Sequence, residues 1–119
     1  MTAPEALSDC IFCRIVAGEI PATVGHPTPT AMAFRDLNPQ APTHVLVIPR
    51  SHFANAAELA AGEPASVAEL VRVAERVAQI DGLDGQYRLV FNTGAEAGQT
   101  VFHTHLHVLG GRSMTWPPG

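Results

Sequence analysis

The spacing of apolar side chains changes character along the chain, and each change marks an element. From 64 to 80 the apolar positions Val67, Leu70, Val71, Ala74, Val77 and Ala78 recur at steps of three and one. Such steps draw a stripe along one side of an α-helix, with Glu69, Arg72, Glu75, Arg76 and Gln79 on the wet side. Pro64 suits the first helical turn, and "DGLDGQ" ends the helix with turn chemistry. "THVLVIP" is continuously apolar and β-branched, the pattern of a central strand, and Pro49 stops it. "AMAFRD" and "YRLVFN" read as further strands, and residues 22–26 as a short one. "SDCIFCRIVAGEIPA" reads as a short helix, capped by Ser8 or Asp9 and closed by Gly18, with Ile11, Phe12 and Ile15 on its apolar side. A second short helix is expected over 54–61. "LNPQAP" and "TGAEAGQT" are loops. "HTHLHVLGG" alternates and reads as the last strand, ended by Gly110 and Gly111. Strands in runs, with one long helix, predict an α+β domain: an antiparallel sheet with the helix packed on one face.

Length and charge narrow the function. The 119 residues suit one domain over 1–119, with a flexible N-terminal segment at 1–8 and a C-terminal tail at 112–119. Hydrophobic residues make up 46% and charged residues 15%, a folding composition. A net charge of −4 without a basic block argues against nucleic acid as a partner, though backbone amides and imidazoles can still hold a small anion. No apolar run approaches the ~18 residues of a membrane span, and the N-terminus lacks the pattern of a signal peptide, so a cytoplasmic location is expected.

His103, His105 and His107 are three of the six histidines. On a strand they would project from one face, with Thr104, Leu106 and Val108 on the other. Outer members would lie ~13 Å apart and neighbours ~6.6 Å, at the usual rise per residue. One tetrahedral metal needs its ligands within ~2.1–2.3 Å, so three imidazoles on a regular strand do not share an ion. The spacing suits side chains acting on different atoms of one ligand. A second cluster is "CIFC", which places Cys10 and Cys13 three apart. A redox pair, two reduced core cysteines, or half of a zinc site completed by His44 and His103 are all open.

"HTHLHVL" resembles the histidine triad signature, with Thr104 in a slot that is usually hydrophobic. "AFRDLNPQAPTHVLVIPRSH", "GQTVFHTHLHVLGGR" and "WPPG" extend the resemblance to the nucleotide-binding branch of that superfamily, which includes purine nucleoside phosphoramidases. The resemblance implies that His105 is the nucleophile and passes through a nucleotidyl-histidine. It implies that His107 steadies the phosphate, and that Thr100 stands where serine is usual. His103 belongs to the same catalytic motif. Asn92 and the segment Gly98, Gln99, Thr100 and Val101 would meet phosphate or ribose, and Asp36 the ribose hydroxyls. Phe12, Ile15, Ile20, Phe34 and Leu37 would line the purine. Trp116, in the tail, would help shape the pocket of a two-fold homodimer partner. Relatives with a Cys-x-x-Cys pair carry a structural zinc, which implies Cys10, Cys13, His44 and His103 as its ligands here, with His52 left at the rim. No organic cofactor is expected. The substrate would be a purine nucleotide with AMP or GMP as product. Nucleotidyl transfer to another acceptor, or nucleotide binding without catalysis, are the alternatives.

Overall fold

The computed structural model describes residues 9–21, 24–25 and 27–119. The N-terminal segment 1–8, with Ser8, and most of the strand expected over 22–26 lie outside the described residues. The elements run α1 (Ile11–Val16), β1 (Val24–Gly25), β2 (Ala31–Arg35), β3 (Thr43–Pro49), α2 (Ala56–Gly62), α3 (Pro64–Ile80), β4 (Tyr87–Val90) and β5 (Leu106–Gly110), with a 3-10 turn at Ala95–Ala97. The strands form one antiparallel sheet in the order β1-β2-β3-β5-β4, so β3 is central as its unbroken apolar run requires.

The long helix spans the predicted residues. Its inner side buries Leu70, Val73, Ala74, Val77 and Ala78, with Val67 partly covered. Val71 points outward instead of Val73, because the covered stripe follows the sheet it lies on. Leu70 and Val77 pack with Ala31, Ala33, Val45, Val47, Leu106 and Val108, which fill one face of the sheet. The opposite face carries Met32, Phe34, Leu46 and Ile48, covered by Phe12 and Ile15 of α1. Continuous apolarity in β3 thus reflects two cores, one on each side. Among the described residues no helix is long and apolar enough to cross a membrane.

Local chemistry departs from expectation at two ends. The N-cap of α1 is Cys10, whose sulfur accepts from the Cys13 amide at 3.4 Å. The last strand begins only at Leu106, so His103, Thr104 and His105 form an irregular lead-in. The paired glycines that end it have separate causes. A Cβ on Gly110 would lie 2.5 Å from a Leu83 methyl, whereas Gly111 adopts φ +89, a conformation that glycine takes freely.

The C-terminal end of α3 is tied to the sheet by Asp81. The two terminal guanidinium nitrogens of Arg35 donate to its carboxylate, at 2.7 and 2.8 Å, and the Thr43 hydroxyl donates at 2.6 Å. The Arg35 guanidinium, helped by Thr43, holds the Asp81 carboxyl down at about 2. A carboxyl depressed on folding stabilises the fold above its ordinary range and loses that contribution as pH falls through the folded value. Asp81→Asn is therefore expected to be less stable than the wild type at neutral pH, with the gap shrinking as pH falls past the ordinary carboxyl range and closing only below the folded value of about 2. Chemical denaturation across pH measures this; a gap that stays constant down to pH 2 contradicts the role assigned to Asp81.

Candidate active site and metal-ligand cluster

The register between β3 and β5 decides which histidines can meet. Val47 pairs with Leu106, Leu46 with His107 and His44 with Leu109. Continued past Pro49, the antiparallel pairing brings the turn after β3 beside His103. His44 pairs six residues further along, ~20 Å away at the strand rise. His44 therefore cannot join a site with His103, which corrects the expected ligand set. His52, in the turn, takes the place.

Cys10, Cys13, His52 and His103 converge at one end of the sheet. The Nδ1 of His103 lies 3.5 Å from each sulfur, and the Nδ1 of His52 lies 3.3 Å from Cys13 Sγ and 3.2 Å from His103 Nδ1. Ligand bonds of about 2.3 Å to sulfur and about 2.0–2.1 Å to nitrogen, tetrahedrally arranged, put the donors about 3.5 Å (S to N) and about 3.3 Å (N to N) apart. The observed separations match those edges, so the four donors fit a tetrahedral ion. Pro49 supplies the outer contact: its carbonyl accepts the Nε2 proton of His103 at 2.9 Å, which leaves Nδ1 with a bare lone pair turned into the cluster. Burial pushes His103 down to about 4, so its ring is neutral, as a ligand must be.

The lead-in is held to the turn between β3 and α2. The Thr104 amide and hydroxyl both donate to the Phe53 carbonyl, at 2.8 and 3.0 Å. That pairing explains a hydroxyl in an otherwise apolar slot. It leaves His103 and His105 side by side beneath Phe12, whose ring meets them edge-on at 5.9 and 5.2 Å.

Two further rings have their tautomers set by the backbone. His105 donates its Nδ1 proton to the His103 carbonyl at 2.8 Å, so Nε2 keeps its lone pair. The Gln40 amide donates to His44 Nδ1 at 3.0 Å, so the neutral His44 carries its proton on Nε2. That proton goes to His107 Nδ1 at 2.9 Å. His107 is left with its proton on Nε2, a donor available to an anion. Burial pushes His107 down to about 4, with further lowering from His105 and His44. Burial also lowers His44, against the pull of Asp36, whose carboxylate lies 3.5 Å from its Nε2.

The other expected residues divide. Phe12, Ile15 and Phe34 are buried and share one apolar wall, with Ile20 and Val101 partly covered against it. Leu37 is fully exposed, outside that wall, because it sits in the loop after β2. Asp36 closes a turn after β2: one carboxylate oxygen accepts from the Asn38 amide at 2.7 Å. The Gln99 side chain is committed internally, donating to the carbonyls of Ala54 and Val101 and accepting from the Gly94 amide. It shapes the loop, and its backbone amide is committed as well, donating to the Gly94 carbonyl at 3.1 Å. Asn92 sits beside Gly98, whose Cβ position is 3.6 Å from the Asn92 side-chain nitrogen. Thr100 is exposed, and Trp116 is 82% exposed, held at the tail by the Arg88 guanidinium donating to the Thr115 carbonyl. His44 and His52 are the residues whose positions sequence reasoning missed. Pairing "THVLVIP" antiparallel to "HLHVLG" would have placed both.

A five-stranded antiparallel sheet, one long helix on one face and aligned imidazoles on the other define a histidine triad architecture. The chain matches the HIT domain over residues 17–114 and belongs to that family. It is 47% identical over 111 residues to an uncharacterized HIT-like protein of Synechococcus elongatus, covering 93% of this chain and 97% of that one. It is 44% identical over 114 residues to a 14 kDa zinc-binding protein of Zea mays, covering 94% and 89%. Among solved structures, a HIT family hydrolase from Legionella pneumophila superposes with a TM-score of 0.88 at 49% identity, covering 93% and 100%. A histidine triad nucleotide-binding protein from Candida albicans superposes with a TM-score of 0.80 at 29% identity, covering 93% and 85%.

The cluster geometry predicts one tetrahedral divalent ion per chain. Native mass spectrometry is expected to find it in the wild type and in His44→Ala, and to lose it in His52→Ala. Retention by His52→Ala with loss from His44→Ala would overturn the assignment of ligands.

Proposed function

We propose that this protein is a hydrolase that cleaves the phosphorus–nitrogen bond of purine nucleoside phosphoramidates or nucleotidylated amines. The observation that carries the reading is the tautomer of His105. Its Nδ1–H is donated to a carbonyl, and the lone pair stands on Nε2. A neutral imidazole in that state attacks without a base to activate it. Support comes from the Legionella relative, named a HIT family hydrolase, and from the Candida relative, named a nucleotide-binding protein.

His105 Nε2 forms a bond to the α-phosphorus as the phosphorus–nitrogen bond breaks. The amine leaves with one proton taken up. Water then attacks the nucleotidyl-histidine, gives back one proton, and releases the nucleoside monophosphate and the free imidazole. His107 donates its Nε2 proton to a phosphate oxygen, where negative charge builds in both steps. His44 acts through His107 by holding that tautomer, and Asp36, 3.5 Å from His44, turns a carboxylate toward the same end of the site, where ribose hydroxyls would bind. Phe12, Ile15 and Phe34 form the apolar wall for the base, and the Thr100 hydroxyl stands at the exposed mouth, toward the leaving group. We assign zinc to the cluster of Cys10, Cys13, His52 and His103; when bound, it braces the lead-in to β5 and takes no part in bond breaking. A homodimer, with Trp116 reaching the partner's pocket, completes the reading.

Adenosine phosphoramidate with AMP release as the readout tests it. His105→Ala is expected to lose activity by at least about a thousandfold. His107→Ala should fall by about a hundred- to a thousandfold. Mass spectrometry is expected to trap an adenylyl adduct on His105. Equal rates for the wild type and His105→Ala would refute the nucleophile; an adduct that passes to an added acceptor faster than to water would make the protein a transferase.

A further inference from the structure

We infer that the Cys10–Cys13–His52–His103 cluster is a positioning device for the nucleophile, so that metal occupancy sets which ring nitrogen of His105 is free to react. The inference rests on the hydrolase reading only for its prediction about rate.

Two physical routes join the cluster to His105. The first is the backbone of His103. Its ring closes the cluster through Nδ1 and is anchored by Nε2 on the Pro49 carbonyl. Its own carbonyl accepts the Nδ1 proton of His105. One residue therefore holds the ion with its side chain and the nucleophile's tautomer with its main chain. His103 is fully buried, so a shift of its ring on loss of the ion is passed through close packing to the residue that carries this carbonyl. Freed from the carbonyl, the imidazole of His105 distributes its proton over both nitrogens, and only one of those forms presents Nε2 for attack.

The second route is α1. Six residues do not sustain a helix alone in water. Cys10 caps it and Cys13 lies one turn on, so the ion ties its first turn to the β3–α2 turn through His52 and to the lead-in through His103. Phe12 stands between the two cysteines, and its ring meets His105 edge-on at 5.2 Å and 86°. The same ring packs on Phe34 at 5.4 Å and on His103 at 5.9 Å. Holding the thiolates thus holds the ring that flanks the nucleophile.

The test uses the full chain labelled with nitrogen-15, long-range proton–nitrogen spectra of its histidines, native mass spectrometry for the metal, and turnover of adenosine phosphoramidate. With zinc bound, His105 is expected to show a single Nδ1–H tautomer. Removing zinc with a chelator, or by Cys10→Ser, is expected to give a mixture of tautomers and to lower kcat by about ten- to a hundredfold. Refilling the chelated wild type with zinc or cobalt(II) restores both. A folded, metal-free protein in which His105 keeps its single tautomer overturns the inference. Should metal removal unfold the chain, zinc-loaded Phe12→Leu takes over: a second His105 tautomer at full occupancy supports the coupling, and an unchanged spectrum overturns it. A wild type that releases no AMP while its His105 tautomer follows the metal refutes the hydrolase reading and supports the positioning role.

Discussion

The antiparallel register of β3 against β5 is the constraint on which both clusters depend. Pairing Val47 with Leu106 sets every other neighbour along the two strands. It puts His44 diagonal to His107 at one end and brings the turn bearing His52 against His103 at the other. A slip of one residue would turn the imidazoles into the core beneath α3 and expose Leu106 and Val108 to the α1 side. Burial on both faces forbids that slip. The sheet has a helix-covered core on each side, and each core admits only one set of side chains.

Within that frame, backbone groups choose the proton positions. The carbonyl of Pro49, the carbonyl of His103 and the amide of Gln40 each contact one ring nitrogen and thereby define the other. No carboxylate is needed to orient the nucleophile, because a buried carbonyl accepts a proton without bringing a charge into the site. Asp36 stands nearer His44, at the polar end, where its charge stays partly solvated.

Much of this was legible in the residues. The helix over Pro64–Ile80 follows from its period of apolar positions, and the strand over Thr43–Pro49 from an unbroken, β-branched apolar run. His103 and His107 fall in separate clusters, although His103 and His105 lie before the strand on which the alternation had placed them. What failed was assigning partners across strands. His44 lies near the start of a strand rich in apolar residues and His52 just past its end, and composition does not distinguish them; only the pairing direction does. Leu37 misled for a different reason. It follows a strand of core residues, yet the loop it begins turns away from the apolar wall. Gln99 sits in a glycine-bearing loop suited to an anion, but its amide is consumed in shaping that loop, a long-range demand invisible in a linear pattern.

The pairing of Thr104 with Phe53 gives the turn after β3 a fixed length. From Pro49 to Phe53, one carbonyl receives the ring of His103, one side chain enters the cysteine cluster, and another carbonyl receives two donors from Thr104. An inserted or deleted residue would break all three at once. For protein engineering, this turn is closed to loop grafting and circular permutation.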